Sequence, residues 1–173
     1  MAIAHALPGL ETALCDTPLG RLLLVASESG VRHLDLDASA DTLWHRFERA
    51  FPATPRRALQ SAVGRRALHA IESYFDGDAT ELDAPLDATG TPFQQRVWQA
   101  LREIPRGHTR SYGEVARRIG QPTASRAVAQ ACGANPIPLF TPCHRVIAGA
   151  GSLGGFALGV ERKRELLALE GAL

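Results

Sequence analysis

The chain is 173 residues long, room for one ordinary domain or two small packed ones, and its 45% hydrophobic and 21% charged content matches folded globular proteins. No apolar run approaches the roughly 20 residues of a membrane span, the opening MAIAHALPGL lacks the basic region of a secretory signal, and three cysteines are too sparse for a disulfide framework, so a reducing, cytoplasmic setting is expected. The net charge of +1 hides a split, −5 over residues 1–88 and +6 over 89–173, which suits a chain whose second half meets a polyanion but which chance segregation explains equally well.

The first half reads as sheet followed by helices. A strand is expected at Glu11–Asp16, and the turn Thr17-Pro18-Leu19-Gly20 leads into a second at Leu22–Ala26. Ser29-Gly30 turns the chain into a third strand with Val31, Leu34 and Leu36. Asp41–Phe51 carries Leu43, Trp44 and Phe47 at helical spacing, and Ser61–Phe75 carries Val63, Ala67, Ala70, Ile71 and Tyr74. The polar stretch Asp76–Gly90 is the expected boundary between a domain 1–88 and a domain 89–173.

The second half has sharper punctuation. Thr91 as N-cap, Pro92 in the first turn and Gln94 completing a capping box open a helix with the apolar stripe Phe93, Val97, Ala100, Leu101 and Ile104, stopped by Pro105 and Gly107. A second box, Ser111 with Glu114, opens a short helix bearing Val115, Ala116 and Ile119 and closed by Gly120. After Gln121-Pro122, Thr123 is expected to cap a helix with Ala127, Val128 and Ala131. Two short helices around a glycine-containing turn fit a helix-turn-helix, and Arg110, Arg117, Arg118 and Arg126 favour DNA over an ordinary helical hairpin. The fold class is therefore α+β: a small antiparallel three-stranded sheet with helices, then a mostly helical domain.

The segment Asn135–Val146 holds the chemistry. Cys143 follows Pro142, which fixes a turn, and precedes His144 and Arg145, whose positive charge would favour a reactive thiolate. Cys15 lacks such neighbours and reads as core; Cys132 reads as core or pocket wall. On the last helix Glu170 shares a face with Lys163, Leu166 and Leu167. A carboxylate there is costly without a partner, and His144 is the best candidate. The other histidines (His5, His33, His45, His69, His108) show no metal-ligand spacing, and neither metal nor cofactor is expected.

Pro142-Cys143-His144-Arg145-Val146 resembles the active-site motif of the O6-alkylguanine-DNA alkyltransferases, also called methylated-DNA–protein-cysteine methyltransferases. The resemblance runs through Phe93-Gln94, Val97-Trp98, Ile104-Pro105, Ser111-Tyr112, Arg126-Ala127-Val128, Asn135-Pro136 and Gly151-Ser152-Leu153 to Leu166-Leu167 and Glu170, roughly residues 90–171. It implies that Cys143 accepts an alkyl group irreversibly from O6-alkylguanine, with O4-alkylthymine as a further substrate. His144 would reach Cys143 through a water and be oriented by Glu170, while Asn135 shapes the turn. Tyr112 would assist base extrusion and protonate the departing guanine. Arg126 would fill the stack, on a recognition helix whose contacts include Thr123, Ser125 and Ala127. The pocket would comprise Cys132, Pro138, Val146, Phe156, Ala157 and Leu158. The partner would be double-stranded DNA, bound through the minor groove by a monomer with little sequence preference. Phe156 stands where many relatives have Tyr, Ala157 where some have Ser and Leu158 where several have Gly, which implies a narrow pocket favouring methyl over benzyl groups. A non-enzymatic binder of alkylated DNA would lack the acceptor cysteine, an alkylation-sensing regulator would carry an extra cysteine-rich metal domain, and a cysteine hydrolase would turn over.

Overall fold

The computed structural model describes residues 9–78, 81–149 and 152–173. The chain divides into two compact units that join at Ala88 and Thr89.

In the first unit, β1 (Glu11–Thr17), β2 (Gly20–Ala26) and β3 (Val31–Asp37) form an antiparallel sheet in the order β1-β2-β3. The β1–β2 turn needs Gly20: its φ is +120°, and a Cβ there would lie 3.0 Å from the Asp37 carbonyl oxygen. Leu22 through Ala26 are all fully buried, because the middle strand is covered on both faces. Leu23 and Val25 pack with Leu43 and Phe47 of α1 (Ala40–Ala50). The helix α2 (Ala62–Asp76), capped by the Ser61 hydroxyl, also packs on the sheet and buries Ala67, Ile71 and Tyr74. Cys15, expected in the core, is only half-buried because β1 is an edge strand. Burial still pushes its thiol up to about 11. The expected boundary stretch is not a free linker. Val31 donates to the Pro85 carbonyl and accepts from the Asp87 amide, both at 2.8 Å, which adds a short parallel bridge beside β3.

The second unit holds α3 (Pro92–Arg102), β4 (Arg110–Ser111), α4 (Tyr112–Arg118), α5 (Ser125–Gly133), a 3-10 turn (Cys143–Arg145), β5 (Val146–Ile147) and α6 (Val160–Leu169). Both expected capping boxes are present, Thr91 with Gln94 and Ser111 with Glu114. Thr123 does not cap α5. The turn closed by the Ala124 amide on the Gln121 carbonyl makes Ala124 the cap residue, and no side chain accepts from the first turn. Trp98, fully buried on α3, donates its indole N–H to the Ala131 carbonyl on α5 at 2.8 Å and locks those helices together. The parallel pair β4–β5 ties the residues before α4 to those after the 3-10 turn, with Arg110 opposite Val146 and Ser111 opposite Ile147.

Gly90 has no room for a side chain, since a Cβ there would lie 2.5 Å from the Trp98 ring. Gly90→Ala should therefore lower unfolding stability by about 1–3 kcal/mol in denaturant titration; an unchanged midpoint would contradict this account of the α3–α5 lock.

Candidate active site

The loop between α5 and the 3-10 turn sets the nucleophile. Pro142 has φ −78° and ψ 66°, and the Cys143 amide donates to the Thr141 carbonyl at 2.7 Å. These are the dihedrals and the hydrogen bond of an inverse γ-turn, for which proline presets φ. Three residues earlier Leu139 sits at φ +73° although it is bulky and buried, a conformation the surrounding packing must enforce. Asn135 braces the loop from inside. Its side-chain oxygen accepts from the Ile137 amide at 3.0 Å, and its NH2 donates to the Thr141 carbonyl at 2.8 Å and to Cys143 Sγ at 3.1 Å.

His144, Arg145 and Glu170 meet with no exposure of their side chains above 1%. Glu170 forms a two-point pair with Arg145, Nε to Oε2 and Nη2 to Oε1, both at 2.9 Å. The third guanidinium nitrogen donates to the Ile104 carbonyl at 2.6 Å. His144 Nε2 lies 2.9 Å from Glu170 Oε1. An ionised carboxylate only accepts, so Nε2 carries the proton. Burial holds the imidazole below its ordinary value; the Glu170 hydrogen bond opposes that shift, while Arg145 and Lys163 reinforce it. The ring is then neutral and Nδ1 carries a lone pair. Nδ1 is also the one buried side-chain nitrogen or oxygen without a partner among the described residues.

The sequence expectation of a thiolate favoured by His144 and Arg145 does not survive. Burial pushes the Cys143 thiol up; the Asn135 hydrogen bond, Lys163 and nearby backbone N–H groups pull it partly back. His144 is uncharged and Glu170 takes the Arg145 charge, so neither stabilises a thiolate as expected. At neutral pH the sulfur is a thiol that needs a base.

Cys143 opens onto a cavity of about 360 Å3 whose wall includes Tyr112, Cys132, Phe156 and Ala157, with Ala129, Gly133 and Gly155. Tyr112 starts α4, and its hydroxyl comes so close to Gly154 that a Cβ there would lie 3.1 Å away. Burial raises the Tyr112 hydroxyl above its usual value, so it stays a proton donor. Pro138, Val146 and Leu158 do not line this wall. Val146 is fully buried on β5, Pro138 is buried in the loop, and half-buried Leu158 precedes α6, where its carbonyl accepts from Arg162. Leu158, expected to narrow the pocket, therefore does not do so from this wall. The small residues Ala129, Gly133 and Gly155 on the wall carried no sequence signal. Gly151, part of the sequence resemblance, lies outside the described residues.

On α5 the Arg126 side chain is exposed, and no carboxylate pairs with it among the described residues. Thr123 is exposed ahead of the helix, with Ser125 and Ala127 half-buried. Glu103 takes the Arg118 charge through a two-point contact. No group of three or more metal-binding side chains occurs among the described residues, and no helix there is long and apolar enough to cross a membrane.

Two family models match the chain: the 6-O-methylguanine DNA methyltransferase DNA binding domain over residues 92–172 and the ribonuclease-like domain of the same family over 11–88. The methylated-DNA–protein-cysteine methyltransferase of Mycobacterium bovis is 56% identical over 155 residues, covering 90% of this chain and 88% of that protein. The Escherichia coli bifunctional transcriptional activator/DNA repair enzyme Ada is 44% identical over 158 residues; the match covers 91% of this chain but only 44% of Ada. Among solved structures, Mycobacterium tuberculosis OGT in complex with DNA superposes with a TM-score of 0.78 at 40% identity, covering 95% of this chain and 93% of that one. The chain belongs to the 6-O-methylguanine DNA methyltransferase family.

Proposed function

We propose that this chain repairs DNA directly, by moving the alkyl group of O6-alkylguanine onto Cys143, once per molecule. The observation that carries the reading is Cys143 Sγ on a cavity wall, next in sequence to an uncharged histidine whose Nδ1 has no partner. His144 takes the thiol proton, through a water, and Glu170 holds the resulting imidazolium. The sulfur attacks the alkyl carbon, a C–S bond forms, and the C–O6 electron pair leaves on guanine while Tyr112 donates a proton to it. His144 returns its proton to the tyrosinate by way of solvent. A thioether has no easy hydrolytic route back, so the molecule is spent.

The target carbon is inaccessible within a duplex, so the nucleotide must rotate out, at a cost of a few kcal/mol. We assign α4 and α5 to the DNA, with α5 in the minor groove and exposed Arg126 filling the vacated stack. The uncapped first turn of α5 suits a phosphate, with Thr123 and Ser125 beside it. Phosphate contacts carry no base code, so sequence preference is weak. The chain acts as a monomer in the cytoplasm, residues 89–173 perform the chemistry, and residues 1–88 support them. O4-alkylthymine is a second substrate, and methyl is favoured over benzyl.

A duplex bearing a labelled O6-methyl group should leave one equivalent of label on Cys143, and none on Cys143→Ala; repeated turnover would instead indicate a hydrolase. His144→Gln should slow transfer by roughly 10²- to 10⁴-fold near pH 7. It should recover partly as pH rises, because the raised thiol pKa means hydroxide can then ionise Cys143. The wild-type rate should fall only below the ordinary histidine value of 6.5, since the His144 pKa is depressed; single-turnover rates against pH give both curves. Arg126→Ala should cost about tenfold or more on duplex DNA and little on the free base, given the extrusion cost. Equal losses on both would remove its stack-filling role.

A further inference from the structure

Lys163 has no place in that mechanism, yet it is fully buried. Its Nζ donates to the Val146 carbonyl at 2.6 Å and to the Gly155 carbonyl at 3.1 Å. The first carbonyl follows the Cys143–Arg145 turn, and the second belongs to a residue of the cavity wall. No carboxylate pairs with this ammonium among the described residues. Arg145, the other buried cation beside Cys143, is matched by Glu170. A buried ammonium held only by carbonyls is expensive. Its position on α6 adds to the cost, because a cation near the helix N-terminus opposes the helix dipole. Burial holds its pKa below the ordinary lysine value, while the charges of Cys143 and Cys132 oppose that shift and favour its protonated form. Lys163 in turn favours the anion of both sulfurs.

We propose that Lys163 is a positioning residue for the transfer: it clamps the Gly155 wall to the strand after Cys143 and supplies the positive charge that balances the sulfur as it ionises. The inference rests on Cys143 being the acceptor. The other groups around the sulfur do not replace this cation: His144 is neutral until it takes the thiol proton and its imidazolium is then held by Glu170, Arg145 is paired with Glu170, Tyr112 and Cys132 can only add negative charge, and Asn135 contributes a dipole. After transfer the sulfur is an uncharged thioether and the ammonium has no anion to balance, so its work is confined to the reacting protein.

The test is the pH midpoint of Cys143 carbamidomethylation by iodoacetamide, resolved by peptide mass spectrometry, with single-turnover methyl transfer measured alongside. Lys163→Met should raise the midpoint by about one pH unit and slow transfer about tenfold at neutral pH. Lys163→Arg, which keeps the charge, should hold the midpoint near the wild-type value. A folded Lys163→Met protein with an unmoved midpoint, or an Arg variant shifted as far as Met, would overturn the proposal. Should the Met variant fail to fold, the reciprocal measurement stands in: the Lys163 ammonium midpoint, followed by NMR, should fall in Cys143→Ala relative to wild type, and an unchanged value overturns the proposal equally. Wild-type protein that takes no methyl from DNA, but whose Cys143 midpoint follows Lys163, would support the electrostatic coupling while sinking the repair reading.

Discussion

One carboxylate organises the second unit. Glu170 accepts from the Arg145 guanidinium at both oxygens and from His144 at one of them, all within 2.9 Å and out of solvent. It ties the end of α6 to the 3-10 turn that carries Cys143. Ionised groups buried at this depth persist only where geometry and hydrogen bonding offset their desolvation, and removing one partner of such a pair typically costs about 3–5 kcal/mol. Arg145 makes the arrangement tolerable by matching the charge. With Glu170 already neutralised, the pull on His144 toward the imidazolium is moderate, and burial keeps the ring uncharged. The same contact fixes which nitrogen bears hydrogen, and so which one is basic.

The nucleophile is prepared differently from a surface thiolate. Its environment is dry enough to favour the thiol, while Asn135 and the inverse γ-turn hold the sulfur in place. On the proposed mechanism, ionisation waits for a base and a counter-charge acting together. The helix α6 carries the counter-charge and the carboxylate that orients the base, both against its own dipole, a cation near its start and an anion at its end. Features that cost helix stability at both ends are where the site's electrostatics reside. The β4–β5 pair completes the geometry by fixing the start of α4, hence Tyr112, relative to the strand that leaves the Cys143 turn.

Much of this was legible in the sequence because local rules decided it. Capping boxes at Thr91 and Ser111 and the apolar stripe of α3 rest on contacts within one turn, and the helices begin where those contacts allow. Glu170 stood out as a carboxylate on an apolar face. What escaped depends on distant contacts. The sequence places the Arg145 charge beside Cys143, but the fold spends that charge on Glu170 at the end of α6, 25 residues on, and burial raises the thiol. Thr123 looks like a cap, but the tight turn at Gln121–Ala124 moves the helix start past it. Val146 ends the motif and Pro138 precedes it, yet both are buried away from the cavity, whose wall is completed by the small residues Ala129, Gly133 and Gly155. In the first unit, the bridge from Val31 to Leu86 links residues 55 positions apart, which no periodicity reveals.

The central claim is that His144 waits as a neutral base with its lone pair on Nδ1, and 15N NMR of the imidazole tests it most directly. The account predicts a protonated Nε2 and a bare Nδ1 at pH 7, persisting below the ordinary histidine value of 6.5. An imidazolium at pH 7, or a proton on Nδ1 instead of Nε2, would contradict it.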